Sequence, residues 1–141
     1  MTRNMAFRFI DRLFIVVCGT NNPTSQEWLE YLTVIEYHGL ERTMQLVFTD
    51  GGGPDYFQRR YLADLMRYRF AFVAVISSSV RVRALVTAMS WFNPSIRVFP
   101  QSEHALRMAL AHLEISASRY DDIDMMRRLL QSEIEAAEPR R

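Results

Sequence analysis

The chain reads as an α/β protein: a mostly parallel sheet of four to five strands with helices packed against it, followed by one additional C-terminal helix. Three observations predict this. Short apolar runs recur along the chain, at Leu13 to Cys18, Met44 to Phe48, Phe70 to Ile76 and Ile96 to Phe99, each of a length suited to a strand buried on both faces. Between them lie segments with helical spacing of apolar residues, opened by capping residues or proline. The strand-helix unit recurs at intervals of about 25 residues, which implies right-handed crossovers and parallel neighbours.

The elements follow in order. Residues Ala6 to Gly19 are rich in β-branched and aromatic side chains, with Asp11-Arg12 as a polar break; they read as a hairpin or a bent strand, and Leu13 to Cys18 is the central half. Thr20 to Pro23 is a loop, and Thr24 or Ser25 caps the first helix, where Thr24-x-x-Glu27 makes a capping box. Trp28, Tyr31, Leu32 and Ile35 form its core stripe, and His38-Gly39 ends it. Met44 to Phe48 is the next strand. Thr49-Asp50 stops it, Gly51-Gly52-Gly53 makes an abrupt turn, and the second helix is expected to begin at Pro54, with Phe57, Tyr61, Leu62, Leu65 and Met66 toward the sheet.

Phe70 to Ile76 is the plainest buried strand, and Ser77-Ser78-Ser79 supplies caps for a third helix. Val82, Leu85, Val86 and Met89 face inward on that helix, Trp91-Phe92 covers a sheet edge or core floor, and Asn93-Pro94 terminates it. Ile96 to Phe99 is a strand, Ser102 caps the fourth helix, and Ala105, Leu106, Ala109, Leu110 and Leu113 are its apolar side. SASRYDD forms a polar hinge. Asp121 to Ala137 reads as an added helix with Ile123, Met126, Leu130 and Ile134 on one side, which packs on the domain, pairs with a second copy or holds a partner. This divides the chain into an α/β domain over 1–116 and a helical extension over 117–141.

Composition narrows the function classes. A chain of 141 residues with 49% apolar content can build one substantial core. Its formal charge of +1, from 17 basic and 16 acidic groups, gives no global field toward nucleic acid or an anionic membrane. Every basic residue is Arg. The single cysteine, Cys18, lies in an apolar run and reads as a buried structural thiol. No apolar stretch reaches the roughly 18 residues a membrane span needs, and the N-terminus lacks a signal-peptide core, so a cytoplasmic location is expected. His104 and His112 have no ligands at metal spacing, so no metal and no cofactor are assigned. No serine, histidine and carboxylate combine into a catalytic set, and no enzyme is expected.

Two polar clusters fall at the carboxyl ends of strands, where open parallel sheets place their chemistry. The first is Asp50, Gly51, Gly52, Gly53, Asp55, Phe57, Arg59 and Arg60. Glycines followed by a helix start can present free amides to an anion, or simply make a tight turn; no Lys or Ser/Thr completes a phosphate-binding loop. The second is Ser77, Ser78, Ser79 and Arg81, which reads as an anion site or as an extended cap beside an exposed arginine.

The order of elements, with the Asp50-Gly51-Gly52-Gly53 turn opening the second helix, resembles the STAS domain of bacterial anti-sigma factor antagonists over roughly residues 6 to 115 in layout. In that family the turn is Asp-Ser-Ser/Thr-Gly and its hydroxyl is phosphorylated by a partner kinase. Asp50 and Gly53 match, while Gly51 and Gly52 stand where the hydroxyl residues would be, and Thr49 is the nearest hydroxyl. The resemblance implies a non-catalytic signalling or scaffolding module that binds another protein through Asp50 to Arg60, with Phe57, Arg59 and Arg60 foremost and a homodimer through the C-terminal helix as a further expectation. The alternative is a small-molecule or phosphate-binding protein in which the Gly51 to Pro54 turn and Ser77 to Ser79 cradle an anion, supported by Arg81 or Arg59.

Overall fold

A computed structural model describes residues 3–39, 43–66, 72–91, 93 and 95–137. Five strands, β1 (Met5–Ile10), β2 (Leu13–Cys18), β3 (Met44–Thr49), β4 (Val73–Ser77) and β5 (Ile96–Pro100), lie in that order across one sheet. The β1–β2 pair is antiparallel and the other three are parallel, so the sheet is mixed. The first segment is therefore a hairpin. Its Ile10↔Leu13 pair closes over Asp11 and Arg12, both at positive φ (45° and 70°), the twist that a two-residue hairpin turn requires.

The period-two pattern of β2 explains why both faces are covered. Leu13, Ile15 and Val17 point to one side, Phe14, Val16 and Cys18 to the other, and all six are buried. On the first side lie α4 (Ala105–His112) and α5 (Tyr120–Ala137), joined by a short 3₁₀ turn at Ala117–Arg119. On the second lie α1 (Ser25–His38), α2 (Tyr56–Met66) and α3 (Val80–Ser90). The result is three layers, with β3 in the middle of the sheet.

Helix α1 is fixed at its start by two sets of bonds from one side chain. Thr24 and Glu27 form the reciprocal capping box, and Glu27 Oε2 also accepts the amides of Asn4 (2.8 Å) and Met5 (3.0 Å). Trp28, Tyr31, Leu32 and Ile35 pack on Phe14 and Val16, and Tyr31 donates its hydroxyl to buried Gln45 Oε1 at 2.6 Å. At the other end Gly39 takes φ 82° and His38 stacks on Phe9, ring centroids 3.8 Å apart.

The C-terminal segment belongs to the core of the first side. Ile123, Leu130 and Ile134 of α5 are buried against β1 and β2, and Arg8 of β1 meets Glu133 at 2.7 Å. Met125 and Leu129, on the outer side of α5, are exposed.

Several local expectations need correction. Helix α2 begins at Tyr56, because Asp55 caps it and Pro54 stands outside; Asp55 Oδ1 accepts Gln58 N–H and Gln58 Oε1 accepts Asp55 N–H, both at 2.9 Å. Its Phe57 and Tyr61 point to solvent, and Leu62 is the residue that packs inward. The side chains of Leu65 and Met66, together with Phe70, Phe92 and Pro94, lie outside the described residues. On α3, Val86 is buried and Val82 and Met89 are partly so, whereas Leu85 is exposed. Trp91 is 77% exposed and covers no edge. Ser102 does not cap α4: its hydroxyl accepts the amide of His104, which occupies the cap position with no side-chain bond of its own.

Candidate functional site

The central strand β3 delivers Thr49 and Asp50 to the carboxyl rim of the sheet, flanked by the ends of β2 and β4. Thr49 is buried and holds the turn that follows: its Oγ1 donates to the Gly52 carbonyl and accepts Gly51 N–H (3.1 Å). Gly51 has φ +126° and faces open space. Gly52 is the opposite case. Its amide donates to Gly19 O at 2.9 Å, and a Cβ there would stand 2.2 Å from Asn21 O and 2.6 Å from Gly19 O. The turn is thus wedged against the β2–α1 loop by backbone contacts, and two of its three glycine amides are already used within the chain.

Beyond the turn, α2 projects an aromatic and basic surface. Tyr56, Phe57 and Tyr61 are exposed, at 59%, 79% and 49%, with the Tyr56 and Phe57 rings edge-to-face at 5.5 Å. Arg59 reaches back, Nη1 donating to Pro54 O at 2.9 Å, while Arg60 Nη1 lies 3.5 Å from the Tyr56 hydroxyl. Phe57, Arg59 and Arg60 therefore lie together on α2 beyond the glycine turn, and no described residue of α2 is buried.

The serine cluster joins the first through one bond. Ser77, fully buried, donates Oγ–H to Thr49 O at 2.8 Å and accepts Ser79 N–H at 3.1 Å. Ser79 accepts Val82 N–H and caps α3. Ser78 and Arg81 are exposed. The two inner hydroxyls are accordingly occupied by backbone groups, which is the geometry of a cap and a strand-end brace.

A feature that local sequence patterns did not mark lies on the α5 side of the same rim. A cleft of about 280 Å³ is lined by Cys18, Phe48, Thr49, Asp50, Ile76, Gln101, Arg127 and Gln131. Phe48 and Ile76, which face the α5 side, supply an apolar floor. Arg127 forms a wall, its guanidinium 5.7 Å from the Phe48 ring centroid and its Nε 3.5 Å from Asp124 Oδ1. Asp124 also pairs with Arg128 Nη2 at 3.0 Å, so one carboxylate serves two guanidinium groups. Cys18 contributes to this rim as the last residue of β2, but its thiol faces α1 on the other side of the sheet, where it is pushed up to about 12, first by desolvation and then by the Glu27 carboxylate, and stays a thiol at neutral pH.

The remaining titratable groups sit elsewhere. His112 Nε2 is 2.9 Å from Ser95 O, His104 is 3.3 Å from the Glu103 carboxylate, and the described residues contain no cluster of three or more potential metal-ligating groups. Among the described residues, no helix is long and apolar enough to cross a membrane.

Fold and rim together define the class: a three-layer α/β protein whose mixed five-stranded sheet presents its polar residues at the parallel strands' carboxyl ends. Set against family models, curated proteins and solved structures, the chain matches none.

Proposed function

We propose that this protein is a non-enzymatic, cytoplasmic interaction module that docks another protein on the glycine turn and α2, over Asp50 to Arg60. The observation that carries the reading is the state of α2. It exposes Tyr56, Phe57 and Tyr61 beside Arg60 on a helix that buries none of its described residues. Aromatic residues and arginine are the types that dominate interface energies, and exposing three large rings to water is costly unless something covers them. The chain layout, similar to that of STAS domains, agrees with docking at the second helix. With Gly51 and Gly52 where that family has hydroxyl residues, and with Thr49 Oγ1 held inside the turn, docking on this surface is constitutive and not phospho-switched.

A photo-crosslinking amino acid placed at position 57 tests the reading, with the same group at position 125, on the outer side of α5, as the control. Position 57 should give a discrete adduct in cells and position 125 should not; Arg60→Glu should abolish the adduct. Equal labelling from both positions, or an adduct indifferent to Arg60→Glu, would refute the docking surface.

The alternative, an anion cradle at the Gly51 to Pro54 turn with Ser77 to Ser79, draws less support. The amides of Gly51 and Gly52 and the hydroxyls of Ser77 and Ser79 all have partners within the chain.

A further inference from the structure

We infer that the cleft between the carboxyl ends of β2 to β4 and helix α5 is a binding site for a small zwitterion with an apolar side chain, an α-amino acid of the leucine, methionine or phenylalanine kind. The inference does not depend on the docking surface: the two meet at Asp50 on the rim, but the cleft takes no residue from α2, which packs on the other side of the sheet.

Position is the first argument. In open α/β sheets ligands settle outside the carboxyl ends of the parallel strands, and this cleft is built on the last residues of β2, β3 and β4. Size is the second. At about 280 Å³ the cleft lies just below the range of roughly 300–1,000 Å³ found for sites that hold drug-sized molecules, so its occupant is small.

The lining supplies the chemical class. Phe48 and Ile76, whose side chains face α5, form a floor that offers an apolar group burial. Two opposite charges flank that floor. Asp50 is exposed at the rim, and among the described residues no hydrogen bond or ion pair engages its carboxylate. Arg127 stands on α5, and its partner Asp124 is shared with Arg128, leaving net positive charge on that wall. Asp50 and Arg127 line one cleft yet form no ion pair with each other. A ligand carrying an ammonium and a carboxylate on one carbon answers both: the ammonium donates to Asp50, the carboxylate accepts from the guanidinium, and the side chain covers Phe48. Gln101 at the mouth can donate to the same carboxylate. A simple anion would meet the Asp50 charge, and a simple cation would meet Arg127, so each alone is the poorer fit.

The test is a titration of the full ¹⁵N-labelled chain followed by amide chemical shifts. The probes are L-leucine, L-methionine and L-phenylalanine, each with its N-acetyl derivative, which lacks the ammonium, and its carboxamide, which lacks the carboxylate. At least one free amino acid should give saturable shifts centred on Asp50, Gln101 and Arg127, and both its derivatives should bind about tenfold more weakly or worse. Asp50→Asn and Arg127→Gln should each weaken binding by a similar factor. Asp50→Asn alters an exposed, isosteric position, so it keeps the test decisive if Arg127→Gln disturbs the packing on Phe48. Absence of saturation for all three amino acids, equal binding of free and blocked forms, or shifts confined to α2 and α3 would overturn the site. Because crosslinking at position 57 reads α2, which contributes nothing to the cleft lining, failure of either experiment leaves the other proposal standing.

Discussion

Replacing Gly52 with alanine adds one methyl group to a place that has no room for it. The new Cβ would lie 2.2 Å from Asn21 O and 2.6 Å from Gly19 O, and both are backbone atoms that cannot swing aside as a side-chain tip would. The relief available is displacement of the β2–α1 loop or of the turn, and either loosens the 2.9 Å bond from Gly52 N–H to Gly19 O. Overpacking of this kind costs about 1–3 kcal/mol, and weakening the hydrogen bond adds about 1 kcal/mol. At roughly 3 °C per kcal/mol for a chain of this size, Gly52→Ala should lower Tm by about 6–12 °C. Gly53→Ala is the internal control: nothing lies within 4 Å of its would-be Cβ and its φ is outside the left-handed region. That change should be neutral or stabilise by about 0.4–1 kcal/mol through the unfolded chain. Urea unfolding of the two variants beside the parent, followed by circular dichroism, gives both values. If Gly52→Ala proves as stable as Gly53→Ala, the close approach of the two loops is not a real constraint and the account of the turn fails.

Three further outcomes follow from the same geometry. Glu27→Gln should cost about 2 kcal/mol at pH 7, because a carboxylate accepting amides from Thr24, Asn4 and Met5 becomes a neutral group. Burial acts to raise the Glu27 pKa, but those backbone bonds outweigh it and hold the carboxyl below its ordinary value. Its contribution is therefore complete above the unfolded value of about 4.3 and disappears as pH falls through the folded one, so denaturation curves of parent and variant should converge in acid. On α5, Leu130→Ala removes a side chain with no exposed surface and should cost about 2–5 kcal/mol, while Met125→Ala, at a position 64% exposed, should stay within about 0.5 kcal/mol; equal losses would show that α5 does not seat on the sheet as described. Cys18, buried and with its thiol pushed up to about 12, should resist iodoacetamide in the native protein and react promptly in urea, which mass spectrometry reads directly.

The alternation of strands and helices was legible because each strand is a compact apolar run bounded by turn residues. Thr24-x-x-Glu27 announced the start of α1 in the same way, by a pattern complete within four residues. Asp11-Arg12 alone did not decide between a hairpin and a bent strand, and so did not give the antiparallel β1–β2 pair. The orientation of α2 was not legible. Helical spacing tells which residues share a stripe, and Phe57 with Tyr61 does share one, but Leu62 lies about 100° further round and is the one that found the sheet. The beginning of α2 shifted for a local reason, since Asp55 with Gln58 out-competed Pro54 as the entry signal. The cleft was out of reach because its lining is drawn from Cys18 through Gln131, and no window of sequence contains its floor and its walls together. The carboxyl-end rule singles out a rim but not a side of it; which of its two sides is hollow depends on where α5 lands.

The hydroxyls of Ser77 and Thr49 run in series, Ser77 to the Thr49 carbonyl and Thr49 to the Gly52 carbonyl, so a conspicuously glycine-rich loop is buttoned to two interior strands. Such a loop should not fluctuate as loops do. Its backbone should open on the slow timescale of the sheet, and the Gly52 amide should retain its proton against deuterium long after the tip of the Asp11-Arg12 hairpin has exchanged.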